Sequence, residues 1–345
     1  MRKGPLLAAG AAILMLGAAA AARFVVLPMV HQVPTDVDNT MRFSGTVSML
    51  NPAALVANDA SKLWVRNAAV TAEQHTKSVQ TSGRTVVLSS DIAVKGPDSS
   101  TLISTNHVYS LDRVTLEAAP APAGSNAETH TGLALGFPLT PQAKNYQYWD
   151  STTQAANPAS YVRTEQKGGR QAYVYNTRAV GVVKDPKLTA LLPSALQKSM
   201  LPLLAANLPT LVQQALNLAM PLLPDSIAVT YTSTTDSTFW VDTSTGIVLD
   251  VEQKQVIQAQ LAGPLAAAPL PPAFDLSIKG TEETVKANAE SAAAAQNGLL
   301  LIGTYLPIGS AALGGILLLT AIIAGAVGRK REPAPEPAQA ELAQE

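Results

Sequence analysis

The chain contains no cysteine, few aromatic residues and few charges. Aromatic residues make up 5% and charged residues 14% of its 345 residues, and the formal net charge is −1. Without cysteine the chain forms no disulfide, so its folded part depends on its hydrophobic core alone. The middle of the chain has no basic run, which argues against nucleic acid as a partner. The four histidines lack metal-ligand spacing, and we expect neither a metal site nor a cofactor.

Sequence motifs of familiar catalytic sites are also missing. The chain has no G-x-S-x-G elbow, phosphate-binding loop, dinucleotide fingerprint or H-E-x-x-H pair. We therefore predict a protein that is not an enzyme. An enzyme is an alternative only if Asp112, Asp242 or Asp250 converges with Arg113 in a cleft. These aspartates adjoin turn signals, which favour a structural role for them.

Long hydrophobic runs are present at both ends of the chain. Residues 5–30 and 298–328 are apolar over the ~20 residues that cross a bilayer, so we predict two transmembrane helices. Arg2 and Lys3 precede the first run and Arg329-Lys330-Arg331 follow the second. The first run also ends in Ala19–Ala22, a sequence typical of signal-peptide cleavage, so an uncleaved anchor and a cleaved signal are both open.

The basic flanks predict a two-pass protein of the plasma membrane. Lysine and arginine next to a span mark its cytoplasmic side. Residues 1–4 and the Pro/Ala-rich tail 329–345 are then cytoplasmic, and the tail has the composition of a disordered segment. Residues 31–297 form an extracytoplasmic domain.

This middle domain has the alternating, β-branched pattern of strands. Turn signals at Thr81-Ser82-Gly83 and at Gly168-Gly169 predict two hairpins. The segments at 108–118 and 239–249 share an aromatic, apolar, Asp-x-x-Thr frame. The frame indicates either a duplicated sheet module with an Asp-capped turn or the pattern that any aromatic strand before an Asp turn has. The fold class that we predict is α+β, with a curved antiparallel sheet or two sheet modules.

Residues 187–224, called the insert below, break this β pattern. Leucines recur at helical spacing, and prolines at 193, 202, 209 and 221 divide the segment into short helices. The insert is a third membrane span, a set of core helices over the sheet, or a lid over an apolar cavity. For the lid, the candidate lipid-contacting residues are Leu192, Leu196, Leu204, Leu208, Leu211 and Leu216, with Arg113 as a candidate for a polar head group.

The segments YSLDRVTLEA and STFWVDTSTGIVLDVEQ resemble an actinobacterial family of two-pass envelope proteins often labelled porin PorA-like. The likeness runs from the first apolar run to the second, and D-x-x-T-G-x-V-x-D-V-E at 242–252 is its most specific part. The resemblance implies a role in lipomannan and lipoarabinomannan maturation, polar growth or trehalose-mycolate transport. It supplies no catalytic residues.

Taken with this resemblance, the apolar insert leads us to expect a protein that binds or presents an amphipathic lipid or lipoglycan precursor. Its expected partners are a membrane transferase or a lipid transporter. The alternative is a scaffold of an envelope-biosynthesis complex, which predicts a filled core without a cavity.

Overall fold

The computed structural model describes residues 3–329 except 52, 53, 55, 56, 58, 206–209 and 267–269. These residues form two compact units. One unit is helical and comes from the two chain ends, up to His31 and from Gln296. The other unit, Gln32–Ala295, holds the β-sheet and the insert.

The helical unit contains two helices that are long and apolar enough to cross a membrane. The first consists of α1 (Lys3–Ala21), a wider π turn (Ala22–Val26) and α2 (Leu27–Val30). The second runs from α6 (Glu282–Leu300) through a π turn (Leu301–Tyr305) into α7 (Leu306–Arg329). The two candidate spans are Ala9–Val30 and Glu282–Ala326, and the second begins before Gln296, where the chain returns to the helical unit.

Small residues let the two helices of this unit approach each other closely. A Cβ atom on Gly314 would lie 3.0 Å from Leu16 and 3.1 Å from the Ala12 carbonyl oxygen. Ala12 and Ala321, which both have small side chains, are buried. Contacts of this type, between small residues, are how apolar helices associate inside a membrane.

The β unit is built on one antiparallel sheet that curves into a half-barrel. The strand order is β4-β3-β2-β1-β11-β10-β9-β7-β6-β5, and the short β8 pairs with β9. The strands are β1 (Asp38–Leu50), β2 (Trp64–Ser82), β3 (Thr85–Lys95), β4 (Thr101–Asp112), β5 (Tyr146–Asp150), β6 (Ala155–Lys167), β7 (Arg170–Val182), β8 (Ala195–Gln197), β9 (Ser226–Asp242), β10 (Val248–Leu261) and β11 (Phe274–Gly280). The predicted fold class is confirmed, as are both predicted hairpins, which join β2 to β3 and β6 to β7.

Alternation along the strands decides which side chains face the concave side. In β2, Val70 and Ala72 are buried on the concave face, whereas Ala69 and Thr71, which alternate with them, are exposed. The concave face carries an aromatic-rich cluster around Phe137 and Tyr175 near one end. A second cluster around Phe43 and Phe274 follows it along the strands.

The expected repeat of the Asp-capped turn is confirmed in detail. Asp112 Oδ1 accepts hydrogen bonds from the backbone N–H groups of Val114 and Thr115, both at 2.9 Å. Asp242 Oδ1 accepts from the corresponding N–H groups of Ser244 and Thr245, at 3.1 and 2.9 Å.

Each of these turns is also paired with an arginine from the neighbouring hairpin. Arg84 contacts Asp112 at 3.0 Å and Arg170 contacts Asp242 at 2.6 Å. The sheet thus contains two similar runs, β4-β3-β2-β1 and β9-β7-β6-β5, with β11 and β10 between them.

The described part of the insert packs on the concave side as short elements. They are α3 (Pro186–Thr189), β8, α4 (Leu201–Ala205) and α5 (Thr210–Ala219), with single 3-10 turns at Lys198–Met200 and Met220–Leu222. A membrane span needs about 20 helical residues, and the longest helix here has 10. The third-span interpretation is therefore wrong for these residues. The expectation of helices alone is also corrected, because Ala195–Gln197 pairs with β9 as a strand.

Helix α6 begins on the opposite, convex face of the same sheet. Ala289 and Ala292 are buried against Ala172, Val174 and Trp240. Alanines bring the helix backbone close to the strands, which is why this part of α6 has little side-chain bulk. Thr281 and Thr284 fix its first turn, since the Thr281 hydroxyl donates to Thr284 at 3.2 Å.

Candidate ligand-binding cavities

The concave face encloses an interior cavity of about 250 Å³. Its apolar wall includes Phe43, Ile92 and Phe239. Its polar wall includes the buried hydroxyls of Thr235 and Ser237. The interior cavity is therefore amphipathic, and polar groups line it well inside the sheet.

A second, more apolar pocket of about 620 Å³ lies where α3 meets the strand ends, and we call it the apolar cleft. Its walls are Leu188, Leu191, Leu192 and Pro193 from the insert, Ala68, Leu102, Ile257 and Phe274 from the strands, and the loop at Gly96 and Pro97. Leu188 and Ile103 line both the cleft and the interior cavity. These two side chains form the boundary between the two spaces.

The six predicted insert leucines divide between this cleft and the core. Leu192 lines the apolar cleft, as the lid interpretation requires. Leu196, Leu204 and Leu216 are buried with Ile227 in a core cluster at the end of the sheet. Leu208 lies outside the described residues, and so does the side chain of Leu211. The first turn of the insert thus borders a pocket, while the later part fills a core.

Arg113 lies away from the interior cavity and the apolar cleft. Its Nε donates to the Val33 carbonyl at 2.8 Å, and its guanidinium also donates to the Gly83 carbonyl at 3.3 Å. These bonds fasten the start of the β unit to the turn between β2 and β3. The structure gives Arg113 a structural role, and Arg84 rather than Arg113 pairs with Asp112.

The three candidate carboxylates do not share a cleft with Arg113. Asp112 and Asp242 cap their turns, and Asp250 pairs with Lys167 at 2.6 Å on the convex side. Each therefore has a structural partner of its own.

A group of charged side chains that the sequence analysis did not bring together lies at the wall of the interior cavity. His107 Nδ1 lies 3.0 Å from Glu128 Oε2, and Lys187 Nζ donates to Glu128 Oε1 at 2.6 Å. On its other side, His107 Nε2 lies 3.4 Å from Asp185 Oδ2. We call these four residues the His107 cluster. It ties β4, the loop after it and the start of α3 together.

The charges of the His107 cluster shift its pKa values in a consistent way. Burial acts to lower the pKa of His107, but Asp185 and Glu128 outweigh it and raise the pKa above 6.5. Burial acts to raise the pKa of Asp185, but His107 and the Lys187 backbone N–H outweigh it and lower the pKa below 3.8. The pKa of Glu128 is lowered in the same way by Lys187 and His107.

Two side chains at the wall of the interior cavity have buried polar atoms without a hydrogen-bond partner among the described residues. They are Tyr109 Oη and Asp185 Oδ2, and their residues are 2% and 1% exposed. Asp185 Oδ2 has the 3.4 Å ion-pair contact with His107 Nε2 but no hydrogen bond. Burial raises the pKa of Tyr109 strongly. Trp149 approaches this hydroxyl and acts to lower its pKa, but the contact falls short of hydrogen-bond geometry. An unpaired buried polar atom costs about 1–3 kcal/mol, so these atoms mark a place where a partner is expected.

The His107 cluster and Tyr109 were missed because these residues are far apart in sequence. His107 and Tyr109 come from β4, Glu128 from a loop and Asp185 from the segment before α3. One signal was available, since His107 has the same strand parity as the buried Tyr109 and Leu111. A histidine at an inward position of an otherwise apolar strand predicts a buried polar site. Among the described residues, no group of three or more His, Asp or Glu side chains is arranged to hold a metal ion.

Comparison with known proteins gives one family match. The family model described as Porin PorA matches residues 4–323. No curated protein matches the chain. Among solved structures, the chain matches the conserved hypothetical protein RV0216 from Mycobacterium tuberculosis. That protein is described as essential for bacterial survival during infection and as having a double hotdog fold. It is 9% identical, covers 78% of this chain and 80% of its own chain, and has a TM-score of 0.15, too low to support a structural argument.

Proposed function

We propose a function from the premise that this chain belongs to the Porin PorA family. That family indicates an envelope protein, and the two apolar helices indicate membrane association. On our proposal the chain crosses the plasma membrane twice and its β unit lies outside the cytoplasm. There it binds an amphipathic lipid and presents it for envelope assembly, without catalysing a reaction.

The apolar cleft is the observation that carries this proposal. Its volume of about 620 Å³ lies within the ~300–1,000 Å³ typical of ligand pockets. Leu188, Leu192 and Phe274 give it apolar walls suited to an acyl chain. A short helical segment forms one side, so a small movement of α3 would change the width of the opening.

The interior cavity supports the amphipathic part of the proposal. It adjoins the cleft at Leu188 and Ile103, and its lining changes to hydroxyl, amide and carboxylate groups. There Gln255 Nε2 donates a hydrogen bond to Thr152 Oγ1 at 2.9 Å. A ligand with an apolar chain and a polar end could place the chain in the cleft and the polar end in the cavity.

The class of lipid follows only from the resemblance noted above. A phosphatidylinositol-based lipoglycan precursor or a mycolate ester would fit the amphipathic description. The receiving partner would be a membrane transferase or a lipid transporter. The alternative, a scaffold without a ligand, predicts a filled core, and the two cavities favour binding over it.

A matched pair of substitutions on β2 tests the proposal. Ala68 lines the apolar cleft, whereas the next residue, Ala69, is exposed on the other face of the strand. We expect Ala68→Phe to fill part of the cleft and to reduce the lipid that co-purifies with the full chain by about tenfold. Ala69→Phe adds the same ring to the outer face and should leave the bound lipid unchanged.

The measurement is lipid extraction and mass spectrometry of both variants and of the parent protein, purified in detergent and compared by thermal unfolding. A lipid that is present in the parent and in Ala69→Phe but lost from a folded Ala68→Phe supports the proposal. A parent protein that carries no lipid and takes none up from labelled vesicles contradicts it.

A further inference from the structure

We propose that Tyr109, Asp185 and His107 form a subsite for an alcohol hydroxyl of the ligand in the interior cavity. This inference rests on the proposed function and adds the chemistry of the polar end. All three side chains line the interior cavity, and all three are more than nine-tenths buried.

Two polar atoms of the subsite, Tyr109 Oη and Asp185 Oδ2, have complementary hydrogen-bonding capacity. The Tyr109 hydroxyl has a hydrogen to donate, and Asp185 Oδ2 is a carboxylate oxygen that accepts. The other oxygen, Asp185 Oδ1, already accepts from the Lys187 backbone N–H at 2.9 Å. An alcohol is both an acceptor and a donor, so a single hydroxyl can accept from Tyr109 and donate to Asp185.

The charges around the subsite select against ionised groups. A phosphate or carboxylate would meet the carboxylate oxygen Asp185 Oδ2, and Glu128 is on the other side of His107. An ammonium would compete with His107 Nε2, which already lies 3.4 Å from that oxygen. Lys187 already pairs with the second carboxylate, Glu128, at 2.6 Å. A neutral group with both a donor and an acceptor is the class that fits.

The subsite is built to keep its shape when it is empty. The Tyr109 ring lies against His107, with ring centroids 6.0 Å apart, and against His130, with centroids 4.9 Å apart. Asp185 is fixed as the cap of α3. The ring and the carboxylate are therefore held in place by their neighbours before a ligand binds, which favours affinity for the correct group.

Two pairs of lipid probes test the inference on the full chain in detergent. The first pair is monostearoylglycerol and its dimethyl ether, which differ in the hydroxyls of a polyol head. The second pair is methyl hydroxystearate and methyl stearate, which differ in a hydroxyl on the chain. We expect one hydroxyl-bearing probe to bind about tenfold more tightly than its partner, and the pair that shows the difference identifies the source of the hydroxyl.

The variant Tyr109→Phe removes only the hydroxyl and keeps the ring. We expect it to abolish the tenfold preference while raising the Tm of the ligand-free protein, because an unpaired buried hydroxyl is lost. Tyr175→Phe is the matched control, since its hydroxyl is already paired with the Gln142 carbonyl at 2.6 Å. It should lower the Tm and leave the preference unchanged.

The outcomes separate this inference from the proposed function. If both members of each pair bind equally, water alone serves the two atoms and the subsite is refuted, while lipid binding stands. A preference that persists in Tyr109→Phe also refutes the subsite. If no probe binds, the proposed function fails and the subsite fails with it.

Discussion

At the scale of single residues, His107 joins groups from three parts of the chain. Its raised pKa adds stability that is complete below 6.5, the ordinary value, and is lost as the pH rises through the folded-state pKa. The lowered pKa values of Asp185 and Glu128 add stability that is complete above 3.8 and 4.5 respectively. That contribution is lost as the pH falls through their folded-state values. All three contributions are therefore present together between pH 4.5 and 6.5.

This window gives a prediction for His107→Gln. The variant leaves the buried Asp185 carboxylate without its cation, whereas Glu128 keeps Lys187, so we expect a loss of about 3 kcal/mol at pH 6. The loss should shrink as the pH rises above the folded-state pKa of His107, because the parent histidine is then neutral. Thermal unfolding of the full chain across the pH range measures both effects. His75→Gln is the control, since His75 pairs with an exposed Asp38, and a pH-independent loss in His107→Gln would contradict the prediction.

Sequence reasoning reached some of these residues and missed others for a physical reason. The aspartates at 112 and 242 were assigned to turns correctly, because a turn is made by neighbours in sequence. The His107 cluster depends on which loops cross the sheet, and this is not encoded locally. Arg113 shows the same limit, since its partners Val33 and Gly83 are distant in sequence.

At the scale of elements, the two Asp-capped turns share the same contacts but differ in how exposed they are to solvent. The Asp112 side chain is 23% exposed and its partner Arg84 is 67% exposed. The Asp242 side chain is 1% exposed and its partner Arg170 is 16% exposed. Solvent screens the first ion pair much more than the second.

This difference predicts unequal costs for the same substitution. We expect Asp112→Ala to cost about 1 kcal/mol, mainly through the lost cap. Asp242→Ala should cost about 3 kcal/mol, because it also removes the buried carboxylate that pairs with the half-buried Arg170. Chemical denaturation of both variants measures the two losses in the free energy of unfolding. Equal losses would contradict the prediction that burial of the second turn raises its cost.

The insert illustrates how much an element can be predicted from its pattern. Its amphipathic spacing and prolines correctly indicated short elements on the concave side. The pattern could not separate core from pocket, because a leucine faces either one with the same spacing. Leu192 and Leu196 are close in sequence, yet one lines the cleft and the other is buried in the core cluster.

At the scale of the whole molecule, the absence of cysteine makes the proposed topology easy to test. A single cysteine at Ser82, which is exposed at the end of β2, reports on the β unit, and one at Ala338 reports on the tail. We expect a membrane-impermeant maleimide to label Ser82→Cys in intact cells. Ala338→Cys should be labelled only after lysis.

The opposite labelling pattern would contradict the topology, as would labelling of both positions in intact cells. The intact mass of the purified chain adds an independent result. It shows whether the first apolar run is retained as an anchor or removed as a signal peptide.

The position of β11 has a consequence for the order in which the sheet is completed. This strand, Phe274–Gly280, pairs with β1 on one side and with β10 on the other. Strand β1 is the first to be synthesised and β11 is the last, so β1 keeps one unpaired edge until nearly the whole domain has been made. Helix α6 begins at Glu282, directly after β11. Completion of the sheet and emergence of the second apolar helix are therefore nearly simultaneous events in biosynthesis. A nascent chain arrested before Phe274 presents two strand edges, those of β1 and β10, that β11 covers in the finished sheet.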